Sequence, residues 1–424
     1  MTKNRYIAHI VIEADTPIKV GSNASDFLQD SPVQKDWNGL PMILGTSIAG
    51  VLRKDFNGDV KDIFGEDKGS KVIISNALLL DEKGKVYEEL LTSKSDFLKV
   101  FDNLPIREHT AINSKGVTNN GAKFDEEVVY KGIRFKFSIE FIEDVKETFE
   151  SVLNILSNSA FRLGGGNTKG FGKFKIIEIK TGLVDLENYS SSLNGSEVLT
   201  SHNCEVKASI PKKHTTYTLK IRPDDFFMFG SGFGDDDADM TPVFEKVVDY
   251  ENGKLSEKQV LIPASSIKGA IAHRTAFYYN KKMLELGSDH TKTGENNEAV
   301  KAIFGHKKEL DKNTQKELGQ KGKILISDCF KEHSAQTKTF DHVAIDRFTG
   351  GAIDGALFQE KTVARDNDSY EIEILLEETI QGDELKAFEN ALKDIAAGML
   401  PLGGATTKGH GVFSGEVLKD GVEL

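Results

Sequence analysis

The sequence predicts an α+β protein made of two tandem βαββαβ units. Three observations carry the prediction. The glycine-rich stretch "LGGGNTKGFGKF" at Leu163 returns as "LGGATTKGHGVF" at Leu402. Other blocks recur around it in the same order. Apolar residues repeat at strand or helix spacing in matching places of both halves.

Each half begins with a strand: Tyr6, Ala8, Ile10 and Ile12 alternate, as do Tyr217, Leu219 and Ile221. A loop follows, "VGSNASDFLQDSPV" from Val20 and "FGSGFGDDDADMTPV" from Phe229. Next come "LGTSIAGVLR" from Leu44 and "PASSIKGAIAHR" from Pro263, read as helices with Ser47 and Ser266 as N-caps. "DIFG" at Asp62 meets "AIFG" at Ala302, and the second strands are "KVIISNALL" from Lys71 and "KILISDCF" from Lys323. An insertion then carries "HTAINSKGVTNNGAKFDEE" from His109 or "HVAIDRFTGGAIDGALFQEK" from His342. Ile133, Phe135, Phe137, Ile139 and Phe141 form the third strand, matched by Tyr370, Ile372 and Ile374. Val145, Phe149, Val152, Leu153 and Leu156 keep helical spacing, as do Leu385, Phe388, Leu392 and Ile395. The glycine loop and a last strand close each half. This is the element order of a ferredoxin-like (RRM-like) domain. It divides the chain into residues 1–184, a polar serine-rich linker at 185–212, and 213–424, with insertions at about 95–130 and 331–367.

Composition narrows the class. Hydrophobic residues make up 38% and charged ones 28%. No apolar run approaches the roughly 18 residues of a membrane span. The first residues alternate like a strand and lack a signal-peptide core. Cys204 and Cys329 give neither a disulfide framework nor zinc spacing, so a reducing cytoplasm is expected. A net charge of −12 counts against a free-standing nucleic-acid binder, but leaves room for a local basic groove.

The glycine loop invites a phosphate-site reading, and two versions fail. A nucleotide P-loop needs lysine directly after its last glycine, between a strand and a helix. Here Phe171 follows Gly170, and the order is helix, loop, strand. The dinucleotide fingerprint fails on the same order. Two readings stay open. The loop is a tight turn with left-handed glycines and solvated Lys169 and Lys408. Or Gly164, Gly165, Gly403 and Gly404 form a bare backbone against which an RNA phosphate chain lies, with lysine supplying charge.

Together, "DSPV", "IPASSIKGAIAHR" followed by "IFG", and the "LGGGNTKGFGKF" loop resemble the signature of the RAMP superfamily of CRISPR systems. The nearest likeness is to the backbone (seventh-family) subunits of type III effector complexes, over nearly the whole chain. Its length resembles a tandem fusion of two such subunits, as in subtype III-D variants. The resemblance implies two RAMP domains that bind CRISPR guide RNA beside other effector subunits and act in the prokaryotic cytoplasm. The insertions would be thumb hairpins, with His109, Phe124, His342 and Phe358, that kink the guide–target duplex. Ser47, Arg53, Ser265, Ser266, Lys268, His273 and Arg274 on the helices would join the glycine loops in contacting guide RNA. Arg53 and Arg274 lie at different distances from Gly50 and Gly269, and Ala49 stands where Lys268 does, so the two helices are unequal.

The resemblance also implies an endoribonuclease that cuts target RNA with the aspartate of "DSPV", here Asp30, with Asp26 as the neighbouring candidate. A carboxylate can take the 2′-hydroxyl proton or hold Mg2+ against an RNA phosphate. In the second half "MTPV" sets Met240 against Asp30, in a loop read as one residue longer. Asp239 is adjacent, and Asp235 falls against Asp26. "DDDAD" is otherwise a solvated acidic turn. Two further readings remain: a scaffold that binds RNA without cutting, and a metal-independent ribonuclease that processes guide precursors through His109 and His342.

Overall fold

The computed structural model describes residues 5–22, 32–66, 69–113, 116–142, 146–184, 199–202, 214–310, 317–332, 336–366 and 369–424. Val145, Cys204, Asp26, Asp30 and most of the expected linker lie outside these residues.

In the first half, β1 (Arg5–Ala14) and β2 (Met42–Ile43) precede α1 (Gly45–Asp55) and α2 (Val60–Phe64). β3 (Val72–Ile74), β4 (Ala77–Leu79) and α3 (Asp96–Lys99) lead to a hairpin of β5 (Ile106–Ile112) and β6 (Thr118–Glu127). β7 (Arg134–Ile142), α4 (Lys146–Leu156), β8 (Phe174–Val184) and β9 (Thr200–Ser201) complete it. β1 lies antiparallel between β7 and β8, and β3 and β4 both pair with β7. The alternation read from sequence is the cause: Ala8, Ile10 and Ile12 face inward from β1, and Phe135, Phe137, Ile139 and Phe141 from β7. Phe149, Val152, Leu153 and Leu156 of α4 cover that face.

The second half repeats the plan. β10 (His214–Pro223) is followed by β11 (Phe244–Glu245), the small hairpin β12 (Val248–Asp249) and β13 (Lys254–Leu255), and β14 (Gln259–Ile262). α5 (Ala264–Glu285), α6 (Glu298–Phe304), β15 (Gly305–Leu310), β16 (Glu317–Lys321), β17 (Ile324–Ile326) and β18 (Cys329–Lys331) come next. A long hairpin, β19 (Thr337–Ile345) and β20 (Ala352–Val363), leads to β21 (Tyr370–Glu377), α7 (Gly382–Ala396), β22 (Phe413–Lys419) and β23 (Val422–Glu423). The sheet order β17-β21-β10-β22 mirrors β3-β7-β1-β8. This α+β arrangement of antiparallel sheets and covering helices is consistent with a ferredoxin-like architecture.

Two expectations need correction. Ser47 and Ser266 are not N-caps: α1 and α5 begin earlier, at Gly45 and Ala264, after Leu44 and Pro263, which offer no capping side chain. The cap comes from elsewhere in the chain. Asn76 Oδ1 accepts the Gly45 amide (2.9 Å) and Asp328 Oδ1 accepts the Ala264 amide (2.8 Å). Second, Met240 does not correspond to Asp30. Ser22 donates to the Pro32 carbonyl and Ser231 to that of Thr241, and Gly21 bridges Val33 as Gly230 bridges Pro242. Both loops therefore have the same length, and Asp239 occupies the chain position of Asp30, as Asp235 does that of Asp26. The shared proline misleads because Val33 and Pro242 are true partners. The Val33 amide is bound by Glu127 Oε2 (2.8 Å); proline has no amide, and Lys361 stands at the place of Glu127.

The halves are joined tightly. Val248, Tyr250 and Leu255 of the β12–β13 hairpin pack into the core of the first half. Tyr250 donates to the Leu80 carbonyl, and its ring meets Phe97 edge-on. Apart from this hairpin, each sheet has its own apolar core.

Candidate nucleic-acid interface

Each glycine loop is fitted against the segment that leaves the first strand. Gly164 and Gly403 have φ near +90°, and a Cβ on either would overlap a backbone carbonyl, that of Lys19 or Met228. The Gly165 and Gly404 amides donate to those same carbonyls (2.7 Å each). Those of Gly172 and Gly411 donate to Pro17 and Phe226 (2.8 Å each). Only glycine tolerates this approach and this dihedral. The loop thus fixes the start of the acidic loop, a few residues further on.

A short helical turn in each loop, Asn167–Lys169 or Thr406–Lys408, carries the lysine to the base of the hairpin. Lys169 Nζ lies 4.8 Å from the Phe124 ring centre and 3.5 Å from Glu126. Lys408 Nζ lies 4.5 Å from Phe358 and 3.0 Å from Glu360. His109 stacks on Phe124 at 5.2 Å, and His342 on Phe358 at 4.8 Å. The pairs face each other across the two strands of each hairpin. His109 Nε2 is 3.2 Å from Glu126, and His342 Nε2 3.7 Å from Glu360. Both glutamates are buried. Burial alone would raise the Glu126 pKa, but His109, Lys19 and Lys169 outweigh it and hold it down at about 2. Neither lysine is a freely solvated charge; each is shared between a buried carboxylate and an aromatic face.

The second acidic loop is strapped to its hairpin. Met240 donates to the Gln359 carbonyl, and Lys361 donates back to that of Met240. Lys361 Nζ binds Asp235 (2.5 Å) and Asp237 (3.2 Å). The exposed Asp239 accepts the Gln359 amide on Oδ2 (2.8 Å). Among the described residues, no group of three or more His, Cys, Asp or Glu is placed to hold a metal ion.

The helix residues divide by surroundings. Arg53, Ser266 and His273 are exposed. Ser47 and Ser265 are half-buried near the helix starts. Arg274 is tied to Asp394 of α7 (3.0 Å) and to the Met399 carbonyl just beyond that helix (2.8 Å). Lys268 donates to Thr168 of the first glycine loop (3.0 Å); burial and the nearby Lys169 charge lower its pKa to about 8. This contact belongs to a buried joint between the halves. Arg107, at the root of the first hairpin, binds Glu245 (2.5 and 2.9 Å) and Asp328 (2.5 Å). Gly170 lies so close to Asp328 and Ala264 that a Cβ would overlap both.

The sequence matches the RAMP superfamily over residues 11–175 and again over 205–414. The chain belongs to the RAMP superfamily. One matched stretch lies in each half. A similar protein is the CRISPR system Cms endoribonuclease Csm3 of Methanocaldococcus jannaschii, 26% identical over 232 residues, or 46% of this chain and 88% of that relative. Sequence reasoning on this RAMP chain did not single out Glu126, Glu360 or Lys361. Their signal was present: "KFDEE" and "LFQEK" stand at the same place in the two insertions.

Proposed function

We propose that this chain binds guide RNA as a backbone subunit of a type III CRISPR effector complex, and that both halves cut guide-paired target RNA. The domains would be residues 1–184 and 213–424 joined by 185–212, a tandem arrangement of the III-D kind. The observation that supports the reading is the equal chain spacing between the Ser22–Pro32 and Ser231–Thr241 bonds, by which Asp30 and Asp239 stand at the same count along their loops. The second loop leaves the glycine loop's partner segment and returns along the hairpin. The hairpins expose Ile112 and Val117 in the first half, and Ile345, Phe348 and Leu357 in the second, which suits wedging against bases. Other effector subunits would flank the chain.

Asp239 has the chemistry for a hard cation. Among the described residues only its Oδ2 is engaged, while Asp235 and Asp237 are held by Lys361. Mg2+ is commonly held by one or two carboxylates together with phosphate oxygens and water. Asp239, and Asp30 at the matching place, would hold it with an RNA phosphate. The ion would supply charge stabilisation at the scissile phosphate. The hairpin and glycine loop would set the angle of the RNA backbone, so that the 2′-hydroxyl lines up with that phosphate.

The test uses the assembled complex with a guide-matched target. Asp30→Ala and Asp239→Ala should each remove one cut, and the double variant both, with target binding retained. Persistence of every cut in the double variant sinks the catalytic claim and leaves a scaffold that binds RNA. Cleavage of guide precursor by the chain alone in EDTA, lost in His109→Ala or His342→Ala, would replace the reading with a processing ribonuclease.

A further inference from the structure

The two acidic loops are fastened to their hairpins by opposite charges. In the first half the buried Glu127 accepts the Val33 amide at 2.8 Å and Lys35 at 3.3 Å. In the second half Lys361 stands at that place and reaches Asp235 and Asp237. The Lys361 side chain is 14% exposed, while those of the two aspartates are 44% and 77% exposed. The pairing holds Asp235 below the ordinary carboxylate range and Lys361 above the ordinary lysine one, each chiefly through its hydrogen bond to the other. Asp235 also organises the turn that carries it. Its Oδ1 accepts the Asp237 and Ala238 amides (3.0 and 2.9 Å), and its own amide donates to the Ala238 carbonyl (2.8 Å). Asp239 follows directly, and its Oδ2 takes the amide of Gln359, on the same strand as Lys361. One ammonium thus anchors the turn just ahead of Asp239. On its other side the loop meets the first hairpin. A Cβ on Gly232 would overlap Glu108, whose carboxylate is paired with Lys123 at 2.8 Å. The second acidic loop is therefore seated between both hairpins of the chain.

We propose that Lys361 is a positioning residue for the second cut: by gripping Asp235 it fixes where Asp239 stands against the hairpin. The same grip gives Asp235 a structural task in place of a catalytic one. Residues 235–239 read "DDDAD", and these carboxylates repel one another at close range. A cation at the foot of the turn offsets that repulsion and holds the turn in one place. A carboxylate like Glu127 could not do so, because it would face Asp235 with like charge. The two cuts therefore depend on different fastening residues, and the second can be lost without the first. The proposal rests on the reading that Asp239 cuts RNA.

The test is cleavage of a guide-matched target by the assembled complex, with a rate taken for each mapped cut. Lys361→Met should slow the second cut by about tenfold to hundredfold, the effect of a small misplacement, and leave the first cut at its rate. Lys361→Arg keeps the charge and should restore most of the loss. Asp235→Asn keeps an oxygen for the two amides and should slow the second cut as Lys361→Met does. The double variant should be no slower than either, because both remove one tie. Hydrogen exchange reads the fastening without cleavage, and residues 231–241 should exchange faster in Lys361→Met. A second cut at the wild-type rate in Lys361→Met, an arginine variant no better than methionine, additive losses in the double variant, or unchanged exchange would each overturn the proposal. A second cut that survives Asp239→Ala would instead overturn the cleavage reading itself, and exchange would still report on the fastening.

Discussion

Lys408 Nζ stands 3.0 Å from Glu360 Oε2, and the same bond recurs in the first half between Lys169 and Glu126 at 3.5 Å. The lysine comes from the loop after the second main helix of each half, the glutamate from the inserted hairpin. The pair therefore fastens two elements that are distant in sequence. It also fixes the hairpin relative to the segment that starts the acidic loop.

Removing the carboxylate should loosen that fastening. Glu126→Gln should cost about 1–3 kcal/mol near neutral pH, in line with hydrogen bonds to charged groups. The sign follows from the depressed pKa. Glu126 sits at about 2 in the fold against an ordinary 4.5, so its stabilisation is complete above pH 4.5 and fades as pH falls toward 2. Urea unfolding across this range should show wild type and variant converging in acid. A constant gap would show that the charge is not the cause.

The glycines of the loop should differ sharply in tolerance. Gly164→Ala and Gly403→Ala force a Cβ into a carbonyl oxygen and a left-handed dihedral, and should cost more than about 2 kcal/mol. Gly409→Ala has the dihedral penalty but open space around it, and should cost about 1 kcal/mol. Gly170→Ala, at the matching place, meets Asp328 and should be among the severe ones. Equal losses at Gly170 and Gly409 would remove the packing argument.

Arg107→Ala should destabilise the chain by about 3–5 kcal/mol, because it leaves Glu245 and Asp328 buried without their cation. Phe340→Ala, at the equivalent place, removes only a partly buried ring and should cost less. Thermal unfolding of the two variants side by side reads the difference.

Lys268 should titrate near pH 8, well below an ordinary lysine. The fold disfavours its charged form, so stability should rise as pH climbs from about 8 to 10.5. Lys169→Ala removes a neighbouring charge and should move the titration upward. NMR of isotopically methylated lysines measures both. A Lys268 value unmoved by Lys169→Ala would leave burial as the whole cause.

Much of the fold was legible because periodicity and duplication are local signals. Ile10 and Phe137 announce their strands by alternation, and the two glycine loops align without any structure. The capping of α1 and α5 was not legible in the same way. Ser47 and Ser266 look like caps in one dimension, whereas Asn76 and Asp328 reach the helix starts only after β4 and β18 have folded beside them. The register of the acidic loop failed for a related reason. Matching Pro32 with Pro242 follows letters, while the chain matches positions by which amides are bonded. Asp328 was the most informative residue passed over: "ISN" and "ISD" differ by one charge, and that charge marks the joint.

The β12–β13 hairpin has a consequence for synthesis. The ribosome releases the first sheet and its helices well before Val248 and Tyr250 exist. Until they emerge, the face around Phe97 and Leu80 is left unsealed. The nascent first half waits for a piece of its successor, so the halves mature as one unit despite their separate sheets. A gene cut between the halves would strand those residues on the wrong product.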